Sequence, residues 1–239
     1  SPRNGAAMIT LESVQFHYED MIMNFEMHVT EGELVGIIGP SGAGKSTLLS
    51  LIAGFDAPVS GRLSIAGNNM EGIAPDQRPV SMIFQDHNSF AHLDVWTNVA
   101  LGISPGLKLN EQQIGLVDGA LARVGLSQYK LRKPTEVSGG ERQRIAIARA
   151  LVRDKPVLLL DEPFTALGPA LRREMLDLIR EIQVERKLTV LMVTHQPEDA
   201  KYAATRIAFV QAGRIAHFLP TKQFFAASAP AEIGAYLRG

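Results

Sequence analysis

The chain has 239 residues, 46% of them hydrophobic, which is enough for one large core with a smaller inserted lobe. It carries 24 basic and 25 acidic residues, a formal net charge of −1, so it lacks the basic field that attracts nucleic acid. The absence of cysteine excludes disulfides and thiolate metal sites and fits a reducing compartment. No apolar run approaches the roughly 18 residues of a membrane span.

The first seven residues, SPRNGAA, show no periodicity and precede Met8. We interpret residues 1–7 as a cloning remnant or a disordered lead and exclude them from the fold. We expect residues 8–239 to form a single domain. Only about twenty residues follow GRIAHF, so we expect no C-terminal regulatory domain, which would usually need about 50 residues or more.

The first predicted elements are strands around one helix. Residues 21–29, MIMNFEMHV, alternate strictly and predict a half-buried strand, whose methionines we assign to the core rather than to a soft-metal site. The apolar run 33–39, ELVGIIG, is typical of a buried strand. A helix is predicted from Lys45 through STLLSLIAG, then a strand at SGRLSIAG and another at 80–84, VSMIF.

The pattern of apolar residues changes from about Asp86. We predict a helical subdomain over about 86–150, inserted into the core. Asn110 is the predicted N-cap of one helix, with Gln113 placed to complete a capping box. The apolar residues that follow repeat at helical spacing: Ile114, Val117, Leu121 and Val124.

The second half of the chain alternates helices with apolar strands. Residues 138–152 predict a glycine-led helix, and the runs 157–160, VLLL, and 189–193, TVLMV, predict strands buried on both faces. Between these strands, an apolar helical stripe is formed by Leu171, Met175, Leu178 and Ile182. This alternation predicts an α/β fold with a mostly parallel core sheet, which binds ligands at the carboxyl ends of its strands.

The strand predicted at 33–39 leads into GPSGAGKST, which matches the P-loop pattern GxxxxGK[ST]. Its glycines let backbone N–H groups point at phosphate oxygens, and the following helix presents its N-terminus to the same anion. A chance glycine turn is the alternative, but the pattern follows a strand and opens a helix. Lys45 would lie near the β- and γ-phosphates, and the Ser46 hydroxyl would ligate Mg²⁺. The residues predicted to bind nucleotide here are Gly39, Pro40, Ser41, Gly42, Ala43, Gly44, Lys45, Ser46 and Thr47.

Two adjacent carboxylates follow VLLL at the next candidate strand end. We expect this strand to lie beside the P-loop strand, so that Asp161 can hold Mg²⁺ through water. Glu162 would point elsewhere and polarise the attacking water as a general base. Without a P-loop, a solvated carboxylate pair would be the better interpretation.

Three further polar features complete the candidate site. VSGGE, residues 137–141, forms a second anion-binding helix start, which a partner chain could bring to the phosphate. His195 follows TVLMVT, where it could reach a γ-phosphate or a water, although a lone histidine is usually structural. Gln85 follows VSMIF, and its amide could reach Mg²⁺ or the attacking water.

With these motifs in this order and spacing, the chain from Met8 onward resembles the ABC-type ATPases. The resemblance implies a P-loop NTPase core, an N-terminal antiparallel β region, and hydrolysis of ATP with Mg²⁺, coupled to transport. It also implies that Tyr18 stacks on adenine. A head-to-tail homodimer is implied, in which the P-loop of one chain faces the signature of the other, namely Ser138, Gly139, Gly140 and Glu141.

A closer resemblance, to the ATP-binding subunits of bacterial thiamine importers, is carried by LLSLIAGF, RPVSMIFQDHNSFAHLDVWTNVALG, PGLKLN and TALGPALR. It implies a peripheral subunit on the cytoplasmic face of the inner membrane, bound to a permease and indirectly to a periplasmic substrate-binding protein, without nucleic acid. Import of another small nutrient, such as iron, a polyamine or sulfate, is the alternative. A DNA-repair or translation ATPase fits less well, because the chain shows no coiled-coil heptads and only one cassette.

Three residues depart from the family pattern. The signature has Val137 for the usual leucine and Glu141 for the usual glutamine, with Arg142 placed to neutralise the added carboxylate. Gly168 replaces the aspartate of the segment that crosses the dimer. We expect glycine here to loosen the coupling between the two sites, with Pro169 restraining the backbone in part.

Overall fold

The computed structural model describes residues 5–86 and 89–239, in which helices flank a ten-stranded sheet. The strands are β1 (Ala7–Tyr18), β2 (Met21–Thr30), β3 (Leu34–Ile38), β4 (Ser60–Ile65), β5 (Asn68–Asn69), β6 (Val80–Ile83), β7 (Val157–Asp161), β8 (Thr189–Val193), β9 (Arg206–Gln211) and β10 (Arg214–Pro220). The helices are α1 (Lys45–Ala53), α2 (Val95–Ala100), α3 (Glu111–Arg123), α4 (Gly139–Arg153), α5 (Pro169–Arg186), α6 (Pro197–Ala203), α7 (Thr221–Phe224) and α8 (Ala231–Arg238).

The sheet joins a parallel half to an antiparallel half. Its strand order is β5-β4-β1-β2-β10-β9-β3-β8-β7-β6, with parallel pairing from β9 through β6. The strands β5, β4, β1 and β2 pair antiparallel. The predicted fold class is therefore confirmed. One expected neighbour is wrong, because β8 lies between the P-loop strand β3 and the carboxylate strand β7.

The strands of the parallel half are buried on both faces because helices cover each side. In β3, Val35 and Ile37 join the core that contains α1, whereas Leu34 and Ile38 join the core that contains α2 to α6. Alternate residues of β7 divide in the same way. Continuous apolar runs such as LVGII and VLLL are therefore required here, as expected of a sheet covered on both faces.

The helices between β6 and β7 confirm the predicted capping of α3. The Asn110 side chain accepts from the Gln113 N–H at 2.9 Å, and the Gln113 side chain accepts in return from the Asn110 N–H. Helices α2, α3 and α4 contribute to the same core as β7. None of the helices within the described ranges is long and apolar enough to cross a membrane.

Several boundaries differ from those predicted. The buried stripes of α3 and α5 are shorter than predicted, because the first residue of each predicted stripe is exposed: Ile114 by 40% and Leu171 by 43%. Strand β6 ends at Ile83, before the predicted end at residue 84. The excluded N-terminal segment also enters the fold, since Ala7 pairs with Thr30; residues 1–4 lie outside the described ranges.

Candidate active site

The P-loop connects β3 to α1 at the carboxyl end of the parallel strands. A Cβ on Gly39 would stand 1.9 Å from the carbonyl oxygen of Val210, so only glycine fits where β3 leaves the sheet. Gly44 is the N-cap of α1 with φ of 108°, a conformation that L side chains rarely adopt. The loop between them can therefore curl around an anion at the helix N-terminus.

The Lys45 ammonium lies inside this loop. Its Nζ donates to the carbonyl oxygens of Gly39 and Pro40, both at 2.8 Å, and the residue is only 8% exposed. Burial lowers the pKa of Lys45, and the carboxylates of Glu162 and then Asp161 oppose that shift. An ammonium has three donors, and these two bonds leave the third for a phosphate oxygen.

Two of the three predicted Mg²⁺ ligands, Ser46 and Asp161, meet although they are 115 residues apart in sequence. The Ser46 hydroxyl donates to Asp161 Oδ1 at 3.2 Å. Burial is the largest cause of a raised pKa at Asp161, the Ser46 hydrogen bond opposes it, and the charge of Glu162 adds to it. The carboxylate is thus partly desolvated beside another negative charge, an arrangement that a cation would stabilise.

Glu162 and His195 form a second pair, at the ends of β7 and β8. His195 Nδ1 lies 3.3 Å from Glu162 Oε1. The backbone of Glu162 has φ of 47° and its N–H donates to the Val193 carbonyl at 3.0 Å, which turns the residue out of the direction of β7. Asp161 and Glu162 therefore point to different partners, as predicted.

An open cleft of about 310 Å³ lies beside the first pair and is lined by Ser46, Thr47, Ser50, Phe55, Asp56, Met82, Phe84 and Asp161. Sequence reasoning missed the aromatic residues Phe55 and Phe84, whose ring centroids are 5.8 Å apart. The feature that marks these two aromatic residues as part of a cleft is their solvent exposure, 57% and 40%, and exposure cannot be seen in a sequence. Gln85 is exposed just beyond β6, and its neighbour Phe84, rather than Gln85, lines this cleft.

Tyr18 lies at the tip of the β1–β2 hairpin, paired with Met21 and 57% exposed. The same hairpin packs on the P-loop, since the Met23 sulfur lies 3.2 Å from where a Cβ on Gly44 would stand. The Tyr18 ring is thus presented to solvent from an element that contacts the P-loop.

Comparison with known proteins decides the family. The model of the ABC transporter family matches residues 22–165, which include the P-loop, the VSGGE segment, and the Asp161–Glu162 pair. The chain belongs to the ABC transporter family. The predicted resemblance is therefore confirmed.

Related members of the ABC transporter family match nearly the whole chain. It is 51% identical over 232 residues, 97% of this chain and 96% of the relative, to the thiamine import ATP-binding protein ThiQ of Brucella suis. It is 50% identical to the ThiQ protein of Vibrio cholerae, with 87% of each chain covered. Among solved structures, cbiO1 from Clostridium perfringens, part of the ABC transporter complex cbiONQ, superposes with a TM-score of 0.84 at 30% identity, covering 92% of this chain and 91% of the other.

The variant ABC signature forms a closed capping box at the start of α4. The Ser138 hydroxyl accepts from the Glu141 N–H at 3.2 Å, and Glu141 Oε2 accepts from the Ser138 N–H at 2.8 Å. The Glu141 carboxylate is therefore turned back onto its own helix. The expected neutralisation by Arg142 is wrong, because that guanidinium donates to the carbonyl oxygens of Val137 and Pro134, at 2.9 and 3.5 Å.

The signature glycines pack against the segment around Gly168. A Cβ on Gly139 would stand 3.6 Å from Leu167, and one on Gly140 would stand 3.5 Å from Leu171. The start of α4 and the start of α5 therefore form one continuous surface.

The residues present fit a bound Mg²⁺. No group of three or more histidine, cysteine or acidic side chains suited to a metal occurs within residues 5–86 and 89–239. Mg²⁺ does not require one, because it is usually held by one or two protein oxygens, by substrate phosphates and by water. The Ser46 hydroxyl and the desolvated Asp161 carboxylate supply such a pair at the edge of the cleft.

Proposed function

We propose that this chain is the ATP-hydrolysing subunit of a bacterial thiamine importer. The hydrolytic part is carried by one observation, the contact between Ser46 of the P-loop helix and Asp161 of β7. This contact joins a phosphate-binding loop to a metal-binding carboxylate, the combination that P-loop NTPases use. The cargo is supported by relatives that are about 50% identical and are named as thiamine import ATP-binding proteins.

In the proposed reaction the P-loop binds the phosphates of ATP through backbone N–H groups and Lys45, and Tyr18 stacks on the adenine. Mg²⁺, when bound by Ser46 and Asp161 with Gln85 nearby, would neutralise charge on the β- and γ-phosphates. Glu162 takes the proton from the attacking water. His195 lies 3.3 Å from the Glu162 carboxylate and orients that carboxylate.

The proposed assembly is a homodimer on the cytoplasmic face of the inner membrane, bound to a permease that receives thiamine from a periplasmic binding protein. Ser138, Gly139 and Gly140 would approach the ATP held by the partner's P-loop. The Glu141 carboxylate accepts from the Ser138 N–H at 2.8 Å, so it is turned back onto the start of its own helix. The Ser138 hydroxyl accepts in the capping box, so its proton remains for a phosphate oxygen.

The test is reconstitution of the chain with its permease in proteoliposomes, followed by uptake of radiolabelled thiamine. ATP-dependent thiamine uptake by the wild type, and none by the Glu162→Gln complex, is the expected result. ATP hydrolysis with uptake of iron, a polyamine or sulfate instead of thiamine would reject the cargo and keep the ATPase. No hydrolysis in either the isolated chain or the complex would reject both.

A further inference from the structure

A second cleft, of about 170 Å³, lies between β6 and α4. Its described lining consists of Ser81, Met82, Ile83, Phe84, Ala146, Arg149, Ala150 and Arg153. These residues include two arginines and no acidic side chain. At about 30 Å³ per water molecule in the liquid, the cleft has room for roughly five or six waters or one compact polyatomic ion.

Two buried donors at this cleft have no hydrogen-bond partner in the described part of the chain: Ser81 Oγ and Arg153 Nε. Ser81 is only 3% exposed, so bulk water does not solvate its hydroxyl. Buried polar groups are almost always hydrogen-bonded, and an unpaired one costs free energy. The cleft therefore presents a hydroxyl and a guanidinium N–H that both require an acceptor.

Within residues 5–86 and 89–239, neither arginine of the cleft forms an ion pair with a carboxylate. Arg149 and Arg153 have i,i+4 spacing on α4, which places them on the same face of the helix. Arg149 donates from Nε and Nη2 only to neutral acceptors on Asn98, at 2.9 and 3.0 Å. Burial and then the charge of Arg153 lower the pKa of Arg149. The nearby Asp154 carboxylate is directed at Arg186, 3.6 Å away, and not at this pair.

We propose that Ser81, Arg149 and Arg153 form a binding site for one compact oxyanion of the phosphate or sulfate kind. Such an ion accepts several hydrogen bonds at once, and the planar guanidinium matches its geometry. This site is distinct from the P-loop but adjoins the nucleotide cleft, because Met82 and Phe84 line both. A bound oxyanion would link the end of β6, which lies just before Gln85, to α4.

The position of the ion is tested by soaking selenate into crystals of the full chain grown with MgADP, so that the P-loop already holds phosphates. An anomalous selenium peak within hydrogen-bond distance of Ser81 Oγ and Arg153 Nε is expected. Ordered water alone in the cleft would overturn the proposal. The readout is the position of the ion, so it does not depend on transport activity.

Affinity is tested by calorimetric titration of sulfate into the MgADP-loaded chain. Arg153→Gln should weaken binding about tenfold or more, the scale of a lost charge-assisted hydrogen bond. The matched control is Arg214→Gln, which removes the same charge from an exposed position on β10 and should leave binding unchanged. Equal weakening by both variants would indicate only a general charge effect and overturn the site. Ser81→Ala, which removes the hydroxyl alone, should also weaken binding and provides the test if Arg153→Gln does not fold.

Discussion

Replacing Gly168 with aspartate tests the effect of having glycine at this position instead of the aspartate of the family pattern. Gly168 is the N-cap of α5, with φ of −64° and ψ of 162°, and Pro169 occupies the first helical position. Among the described residues, no heavy atom outside its chain neighbours lies within 4 Å of where a Cβ would stand. Aspartate therefore fits without strain and can accept the N–H of Ala170 or Leu171, a bond that glycine cannot make.

The stability gain is small because glycine is already a tolerated N-cap. Replacing it with aspartate adds a few tenths of a kcal/mol from capping and about 0.3 to 1 kcal/mol from the helix dipole. A total near 1 kcal/mol should raise the Tm of a chain of this length by about 2 to 4 °C. Gly168→Asn is the matched control, because it caps the helix without adding charge.

The functional gain requires the proposed homodimer. The resemblance places residue 168 where the chain crosses to the partner's site, so the aspartate should add one charge-assisted hydrogen bond between chains, worth about 1.5 to 3 kcal/mol. If this hydrogen bond forms only in the closed dimer, the equilibrium between the open and closed dimer shifts roughly tenfold or more. That shift raises the ATPase rate or its cooperativity. ATP affinity of the isolated chain should not change, because Lys45, Asp161 and Glu162 belong to one chain.

The assays are thermal denaturation of the isolated chain and steady-state ATPase against ATP concentration, with and without the membrane partner. Only Gly168→Asp should change catalysis, whereas both variants should raise the Tm. An unchanged rate and Hill coefficient for Gly168→Asp in the full complex would refute the coupling argument and leave residue 168 as a helix cap. An unchanged Tm for both variants would refute the capping argument.

Three further substitutions separate the roles at the strand ends. Lys45→Ala should abolish hydrolysis while circular dichroism stays unchanged; full ATPase activity in the folded variant would reject the P-loop assignment. Glu162→Gln should retain nucleotide binding and slow hydrolysis by roughly 100-fold or more. It should also favour the dimer in size-exclusion chromatography with Mg-ATP. Normal hydrolysis by this variant would mean that Glu162 is not the general base and would make His195 the first candidate. Asp161→Asn should abolish Mg-dependent hydrolysis yet raise the Tm of the nucleotide-free chain at pH 7, because the raised pKa of Asp161 means that its ionised form destabilises the fold. That Tm difference should shrink as pH falls through the raised pKa towards the ordinary value of 3.8, and a difference independent of pH would contradict this reasoning.

The sequence by itself determined the family and most elements of the parallel half. The P-loop, Asp161, Glu162 and His195 each follow an apolar run, a local pattern that the sequence shows directly. The helix cap at Asn110 was equally readable, because a capping box involves only residues three apart. The capping box of Ser138 and Glu141 has the same spacing but was not predicted.

Strand β1 shows where local pattern fails. Its register with β2 shifts between Leu11 and Val14, and Ser13 adopts φ of 48° at this bulge. The alternation of buried residues is therefore interrupted, and a period-two search does not find the strand.

Only the tertiary structure decided which groups meet. From the sequence we expected β7 to lie beside β3, but β8 lies between them, so Glu162 reaches His195, just after the end of β8, at 3.3 Å. Asp161 instead reaches Ser46, because α1 packs against β7 from outside the sheet. Pairings of this kind depend on the order of strands and the packing of helices between distant segments, which no local spacing contains.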